Sequence, residues 1–325
     1  MAARHLMAAL VGALVVLPIA ACSPAPAALT TGGVGAAAQL SPPQSAAPAN
    51  AFPVGVRSVT FTRAGRQLPT TVWYPARDGV VGAVARRAVP AAVGRFPLVV
   101  FSHGLSGVPQ RYAGLAQAWA AAGFVVAAPL YPHTSGRTKR FVRGDINNQP
   151  ADAWHVIDRL RKLTMLPGDV LSGRLDADRV AAVGHSAGGF TTSGMFTPGH
   201  DARLVAGVII AGWLAPGAFA GPPTNLLFLH GERDGVVPVA ASRLAYDHVP
   251  AAWPKSFRIL HGSWHSEYLK PGGPGFPTVC QITTDFLRWN LYGDDSAFRR
   301  LPPSNAVGGP VSAEDLPTAL SPVGP

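Results

Sequence analysis

The stretch RVAAVGHSAGG, Arg179 to Gly189, decides how this chain is read. Arg179 to Val183 has the character of a short buried strand. Gly184-His185-Ser186-Ala187-Gly188-Gly189 follows it and opens a helix. A serine on a sharp strand-to-helix turn is forced into strained backbone geometry, and small residues two positions to either side let the chain pass its neighbours. The turn lifts the hydroxyl out at the top of a sheet. It also sets the serine at a helix N-terminus, where free N–H groups and the helix dipole favour developing negative charge. In a chain with 36 Gly a bare G-x-S-x-G means little. The strand before it and the helix after it give it weight, and Ser186 becomes the expected nucleophile.

Working outward, strand-like and helix-like segments alternate. Val56 to Thr62 and Leu68 to Tyr74 alternate apolar and polar residues and suggest an opening antiparallel pair. Pro97 to Ser102, Phe124 to Ala128, Leu204 to Ala211, Leu226 to His230 and Phe257 to Leu260 read as further strands. Gln110 to Ala122, Pro150 to Leu163 and Val279 to Leu291 read as helices. Short continuous apolar runs are what strands covered on both faces require. Alternation of this kind predicts an α/β domain with a mostly parallel sheet and helices on both faces. Sites in such sheets form at the carboxyl ends of strands. Leu204 to Pro223 carries no charge, but its Gly and Pro residues suit a buried strand and loop better than a membrane helix.

A neutral serine needs a base, and the base needs an orienting acid. After the strand Leu226 to His230 comes GERDGVVP, and Asp234 lies in that loop as the acid should. Glu232 is a rival nearer the strand, while Asp247 falls in a helical pattern. After Phe257 to Leu260 comes HGSWHS, in which His265, deeper in the loop, is the expected base and His261 the rival. These two histidines make H-x-x-x-H without a helix or a Glu after the first, which argues against zinc. An oxyanion hole needs two N–H donors. Ala187, after the nucleophile, supplies one. The loop SHGLSG, Ser102 to Gly107, supplies the other at Leu105, because Gly104 permits a tight turn. His103 falls before Ser186 in the chain and fits an oxyanion-loop or substrate-binding role rather than that of base.

Taken together, VVFSHGLSG, YAGLAQAWAAAGFVVAAPLYPH, VAAVGHSAGGF, HGERDGVVP and HGSWHSEYL resemble the α/β-hydrolase superfamily. The resemblance covers about Pro97 to Leu291. The closer likeness is to bacterial dienelactone-hydrolase-like and platelet-activating-factor-acetylhydrolase-like esterases and to polyester hydrolases of the cutinase type. It implies an α/β-hydrolase fold, a triad of Ser186, Asp234 and His265, and Leu105 and Ala187 as the oxyanion hole. It further implies that Trp213, in AGWLAP, lines the substrate cleft. Dienelactone hydrolases proper use a Cys nucleophile where this chain has Ser186. Secreted polyester hydrolases often carry a C-terminal disulfide, whereas Cys280 is expected here as an unpartnered core residue of the closing helix.

Length and composition frame this reading. The chain has 325 residues, of which 48% are hydrophobic and 14% charged, so a disordered chain is excluded. Two Cys exclude a disulfide-stapled scaffold. Lys and Arg outnumber Asp and Glu by 27 to 17, which permits an anionic partner. Arg dominates the basic residues, and this reads first as a coding habit. Residues 1–21 have the form of a signal peptide, with Arg4 before the apolar run Leu6 to Leu17. Ile19-Ala20-Ala21-Cys22 resembles the bacterial lipobox, which implies lipidation of Cys22 and an exported, membrane-anchored protein of the cell envelope. Residues 22–52 read as an Ala/Pro-rich tether, 53–301 as the catalytic domain and 302–325 as a disordered tail.

The expected function is hydrolysis of a small or lipid ester by a monomer, with no cofactor, metal or nucleic-acid partner. A serine peptidase or acyltransferase on the same triad, or a silent ligand-binding lipoprotein, are the alternatives. The stretch His133 to Asn148 holds Arg137, Lys139, Arg140 and Arg143 and is either a lid that meets anionic groups or a solvated loop.

Overall fold

The structure is a computed structural model that describes residues 45–301 and 311–314. Signal, lipobox and Cys22 therefore lie outside the described residues. The chain opens with a hairpin of β1 (Val54–Arg63) and β2 (Arg66–Pro75), paired antiparallel from Val54↔Pro75 to Arg63↔Arg66. Its two-residue turn, Ala64-Gly65, has positive φ at both positions, as suits the right-handed twist of the strands. A two-residue strand β3 (Arg86–Arg87) lies beside β1. Then follow β4 (Phe96–Ser102), α1 (Ala113–Ala121), β5 (Val125–Pro129), α2 (Gln149–Thr164), β6 (Leu175–His185) and α3 (Ala187–Gly194). The chain continues through β7 (Leu204–Ile210), β8 (Asn225–Gly231), α4 (Val239–His248), β9 (Lys255–Leu260), α5 (Phe276–Tyr292), α6 (Asp295–Arg300) and β10 (Val311–Glu314).

These strands make one sheet in the order β10-β9-β8-β7-β6-β4-β5-β2-β1-β3. From β5 to β9 every pairing is parallel, while β2 joins β5 and β10 joins β9 antiparallel. Along β4 and β6 the side chains alternate between two cores, as the period of two demands. Leu98, Val100, Val180 and Ala182 face one side, with Val156, Ile157 and Leu160 of α2. Val99, Phe101, Ala181 and Val183 face the other, with Leu115 and Trp119 of α1 and Ile282, Phe286 and Leu287 of α5. Chain order reverses at β4, whose neighbours β5 and β6 run outward in opposite directions, and this switch point places the crevice at their carboxyl ends.

Two stretches differ from the sequence expectation. Pro48 and Phe52, read as tether, pack on the domain. The Phe52 ring meets Phe96 at 5.4 Å edge-on, and Arg288 donates to the Pro48 carbonyl at 3.0 Å. Within the tail read as disordered, Val311–Glu314 pairs with β9 from Val311↔Leu260 to Glu314↔Phe257. An open strand edge offers unpaired N–H and C=O groups, and a segment of low periodicity can still satisfy them. Cys280 is free and half-buried on α5, rather than enclosed in the core. Among the described residues no helix is long and apolar enough to cross a membrane.

Candidate active site

Ser186 sits between β6 and α3 with φ 58° and ψ −121°, a region that costs an L-residue about 1–3 kcal/mol. Two anchors hold it there. Its N–H donates to the Ile210 carbonyl at 2.8 Å, and its own carbonyl accepts from Gly189 N–H at 2.8 Å. The turn is possible because a Cβ on Gly188 would lie 1.9 Å from the Ser102 carbonyl oxygen, and one on Gly184 would lie 2.0 Å from the Gly188 oxygen. Any side chain at either place would push α3 off β4 and β6.

The loop after β4 arches over this turn. Gly104 comes so close that a Cβ there would meet the Ser186 Cβ at 3.2 Å. Gly104 N–H is engaged by the Tyr112 hydroxyl at 3.3 Å. Leu105 N–H and Ala187 N–H have no acceptor among the described residues. Two uncommitted amides beside one hydroxyl are the arrangement that stabilises a charged oxygen. The loop is pinned from behind by the chain after β5. Ser106 N–H donates to the Thr134 carbonyl at 2.7 Å, and Gly136 N–H to the Gly107 carbonyl at 2.9 Å.

Asp234 and His265 meet although 31 residues separate them. His265 Nδ1 lies 2.7 Å from Asp234 Oδ2, so Nδ1 carries the proton and Nε2 is left as the acceptor. Asp234 Oδ1 accepts from Val236 N–H at 2.8 Å and Val237 N–H at 2.9 Å. Burial pushes this carboxyl upward, but the His265 bond and the two amides outweigh it and hold it below its ordinary value. Ser186 Oγ makes no hydrogen bond among the described residues, yet Ser186 and His265 line the same cavity of about 620 Å³. Leu105, Tyr112, Arg111 and Lys270 line it too. Catalytic hydrogen bonds are commonly loose before substrate enters.

The rivals lie elsewhere. Glu232 pairs with His261 at 3.3 Å on the exposed surface, apart from the cavity lining. Asp247 is on α4. His103 is buried and absent from the lining. Its Nδ1–H donates to the Gly104 carbonyl at 2.8 Å and its Nε2 accepts from Tyr131 N–H at 3.2 Å. Burial lowers it to about 4, so the ring is neutral and serves as a strut of the loop rather than a contact for substrate. Trp213 packs its ring on Phe190 at 5.6 Å and is likewise absent from the lining. A ring that close to a core phenylalanine is held by packing.

Three site residues escaped the sequence reading. His185 stacks beside His265 with ring centroids 4.6 Å apart. Its Nε2–H donates to the His265 carbonyl at 2.8 Å, and its Nδ1 accepts from the Tyr112 hydroxyl at 3.0 Å. Burial, reinforced by the neighbouring His265, lowers it to about 3. Gly104, Tyr112, His185 and His265 thus form one chain of hydrogen bonds that ties the loop over Ser186 to the loop bearing the imidazole. His230, at the end of β8, directs Nε2 at the Val237 carbonyl, 2.9 Å, and at Asp234 Oδ2, 3.2 Å. Both partners are acceptors, so this nitrogen bears the proton; it bonds the Val237 carbonyl and brings its positive edge against the Asp234 carboxylate. No motif signalled these roles: His185 is the free x of G-x-S-x-G, Tyr112 sits in a 3-10 turn, and His230 ends an apolar strand.

A mostly parallel sheet with its crevice at the β4–β6 switch point, and a serine on the strained turn after β6, define an α/β-hydrolase fold. The sequence model of the Chlorophyllase family, itself a family of α/β-hydrolases, matches residues 84–204. That span carries Leu105, Tyr112, His185, Ser186 and Ala187 and stops short of Asp234 and His265. At the level of the family the match supports ester cleavage of the serine-hydrolase type.

Proposed function

We propose that this protein is a serine esterase that cleaves carboxylic esters through Ser186, His265 and Asp234. The observation that carries the proposal is the strained Ser186 sharing a cavity with His265, whose far nitrogen is already committed to Asp234 at 2.7 Å. His265 Nε2 takes the proton of Ser186 Oγ as that oxygen bonds to the ester carbonyl carbon. The carbonyl electron pair moves onto oxygen and is held by the Leu105 and Ala187 N–H groups. Collapse re-forms the carbonyl, breaks the bond to the alcohol oxygen and returns the proton from His265 to the leaving alcohol. Water then gives a proton to His265 as its oxygen bonds to the acyl carbon, and collapse breaks the bond to Ser186 Oγ, which takes that proton back from His265 as the acid leaves.

Export and lipidation at Cys22 belong to the same proposal and rest on the residues 1–22 alone. Growth with a labelled fatty acid should mark the full chain, and Cys22→Ser should abolish the label. Turnover of a short p-nitrophenyl ester by Ser186→Ala should fall by several powers of ten, since members of a triad act as a unit. Undiminished turnover with the same ester would overturn the assignment.

A further inference from the structure

We infer that the ester this site accepts carries its own negative charge close to the scissile bond. The inference rests on the esterase reading and names its substrate class. The cavity beside Ser186 is walled by two cations from different parts of the chain: Arg111, from the 3-10 turn Pro109–Tyr112, and Lys270, from the loop after His265. No residue lining the cavity is Asp or Glu. Lys270 Nζ makes no hydrogen bond or ion pair among the described residues, and Arg111 spends one N–H on the Ser106 carbonyl at 3.3 Å.

Two acids bonded to or following lining residues, Asp234 and Glu267, are already occupied. Asp234 lies behind His265 and accepts its Nδ1–H. Glu267 folds back on the backbone amides of Trp264 and Ser266. A third cation stands next to Arg111: Arg137 of the basic stretch donates to Gln110 Oε1 at 3.3 Å. Its position draws part of that stretch to the side of the mouth. Cations at a mouth without a counter-charge attract an anion from solution, and a carboxylate or phosphate that reaches them gains charge-assisted hydrogen bonds. Leu105 and Leu269 give the same cavity its apolar walls, so the fitting substrate is a short-chain or lipid ester bearing a carboxylate or phosphate.

The test compares two soluble esters of equal acyl length, p-nitrophenyl pentanoate and mono-p-nitrophenyl glutarate, with the full chain at low salt. The glutarate ester should show the higher kcat/KM, and its advantage should shrink as salt screens the cations. In Arg111→Gln and Lys270→Gln the ratio of glutarate to pentanoate kcat/KM should drop about tenfold each, and Lys270→Glu should invert it. Both side chains are exposed, so these variants keep the fold. A wild-type ratio at or below one, or a ratio that survives both substitutions, overturns the inference. Absence of turnover on both esters instead overturns the esterase reading beneath it. Phosphatidylglycerol and phosphatidylcholine vesicles form a second arm. Faster fatty-acid release from the anionic vesicles assigns the charge to a lipid headgroup, and preference for the soluble glutarate ester without lipid cleavage assigns it to a free acid.

Discussion

Ser186 carries its strain because the residues around it leave no alternative. A positive φ at a side-chain-bearing residue persists only where packing over-determines it. Here the Ile210 carbonyl, the Gly184–Gly188 contact and the Ser102 carbonyl do so together. His230 makes a comparable contribution to the acid. It is wholly enclosed and sets the N–H that bonds the Val237 carbonyl 3.2 Å from the Asp234 carboxylate. Its expected role is to position Asp234, and through it His265. His230→Leu should lower kcat by about tenfold with KM little changed, on the scale of one lost hydrogen bond to a charge. His230→Gln, which keeps an N–H donor, should restore part of the loss. The pH–rate profile should shift in the Leu variant and not in the Gln variant. A uniform loss in both variants would make His230 a packing residue only.

Among the elements, the opening hairpin is bound to the helical layer by charge. Arg66, beside the turn of β1 and β2, reaches Asp145 through both terminal nitrogens at 2.7 Å and Asp152 of α2 at 2.7 Å, while Arg63 adds a bond to Asp152 at 2.7 Å. Asp152 and Asp145 are buried, and the guanidinium is held above its ordinary range by its bonds to them. The basic stretch 133–148 therefore ends on a fixed point at Asp145. With the Thr134 and Gly136 bonds, it buttresses the loop over Ser186. Arg66→Met leaves buried carboxylates short of their partner and should cost about 3–5 kcal/mol in urea unfolding. Adding Asp145→Asn and Asp152→Asn should recover part of that loss. Sequence periodicity located most of these elements, because burial on two faces or one writes itself into apolar spacing. It missed the short ones, β3, α6 and β10, which have too few residues to show a period.

For the molecule as a whole, the buried imidazoles set how stability responds to acid. His103 and His185 are held at about 4 and about 3, chiefly by burial, against an ordinary 6.5. The unfolded chain therefore binds their protons first as pH falls. Stability is fully present above pH 6.5 and declines below it, by about 1.4 kcal/mol per pH unit for each ring until its folded value is reached. Asp145 and Asp234, held below their ordinary range, add a further loss only as pH falls through about 4. Urea midpoints should be flat from pH 8 to 7 and drop between pH 6 and 5, above the range in which Asp145 and Asp234 take up protons. A midpoint unchanged down to pH 5 would contradict the neutral buried histidines.

The order of strands and helices, the two-faced burial of the sheet and the serine turn were legible in the residues themselves, because each depends on neighbours within a dozen positions. Asp234 and His265 were reachable by the same logic, since the end of a strand is a local feature. What the tertiary structure alone decided are contacts between loops distant in the chain. It decided that His185 and Tyr112, 73 residues apart, join the loop over Ser186 to the loop of His265. It buried His103 beneath the loop, packed Trp213 on Phe190 outside the cavity lining, and set Arg111 and Lys270 on the cavity walls. A side chain at the end of a strand can face solvent, core or cleft with the same sequence around it, and only the packing of the neighbouring loops chooses among them.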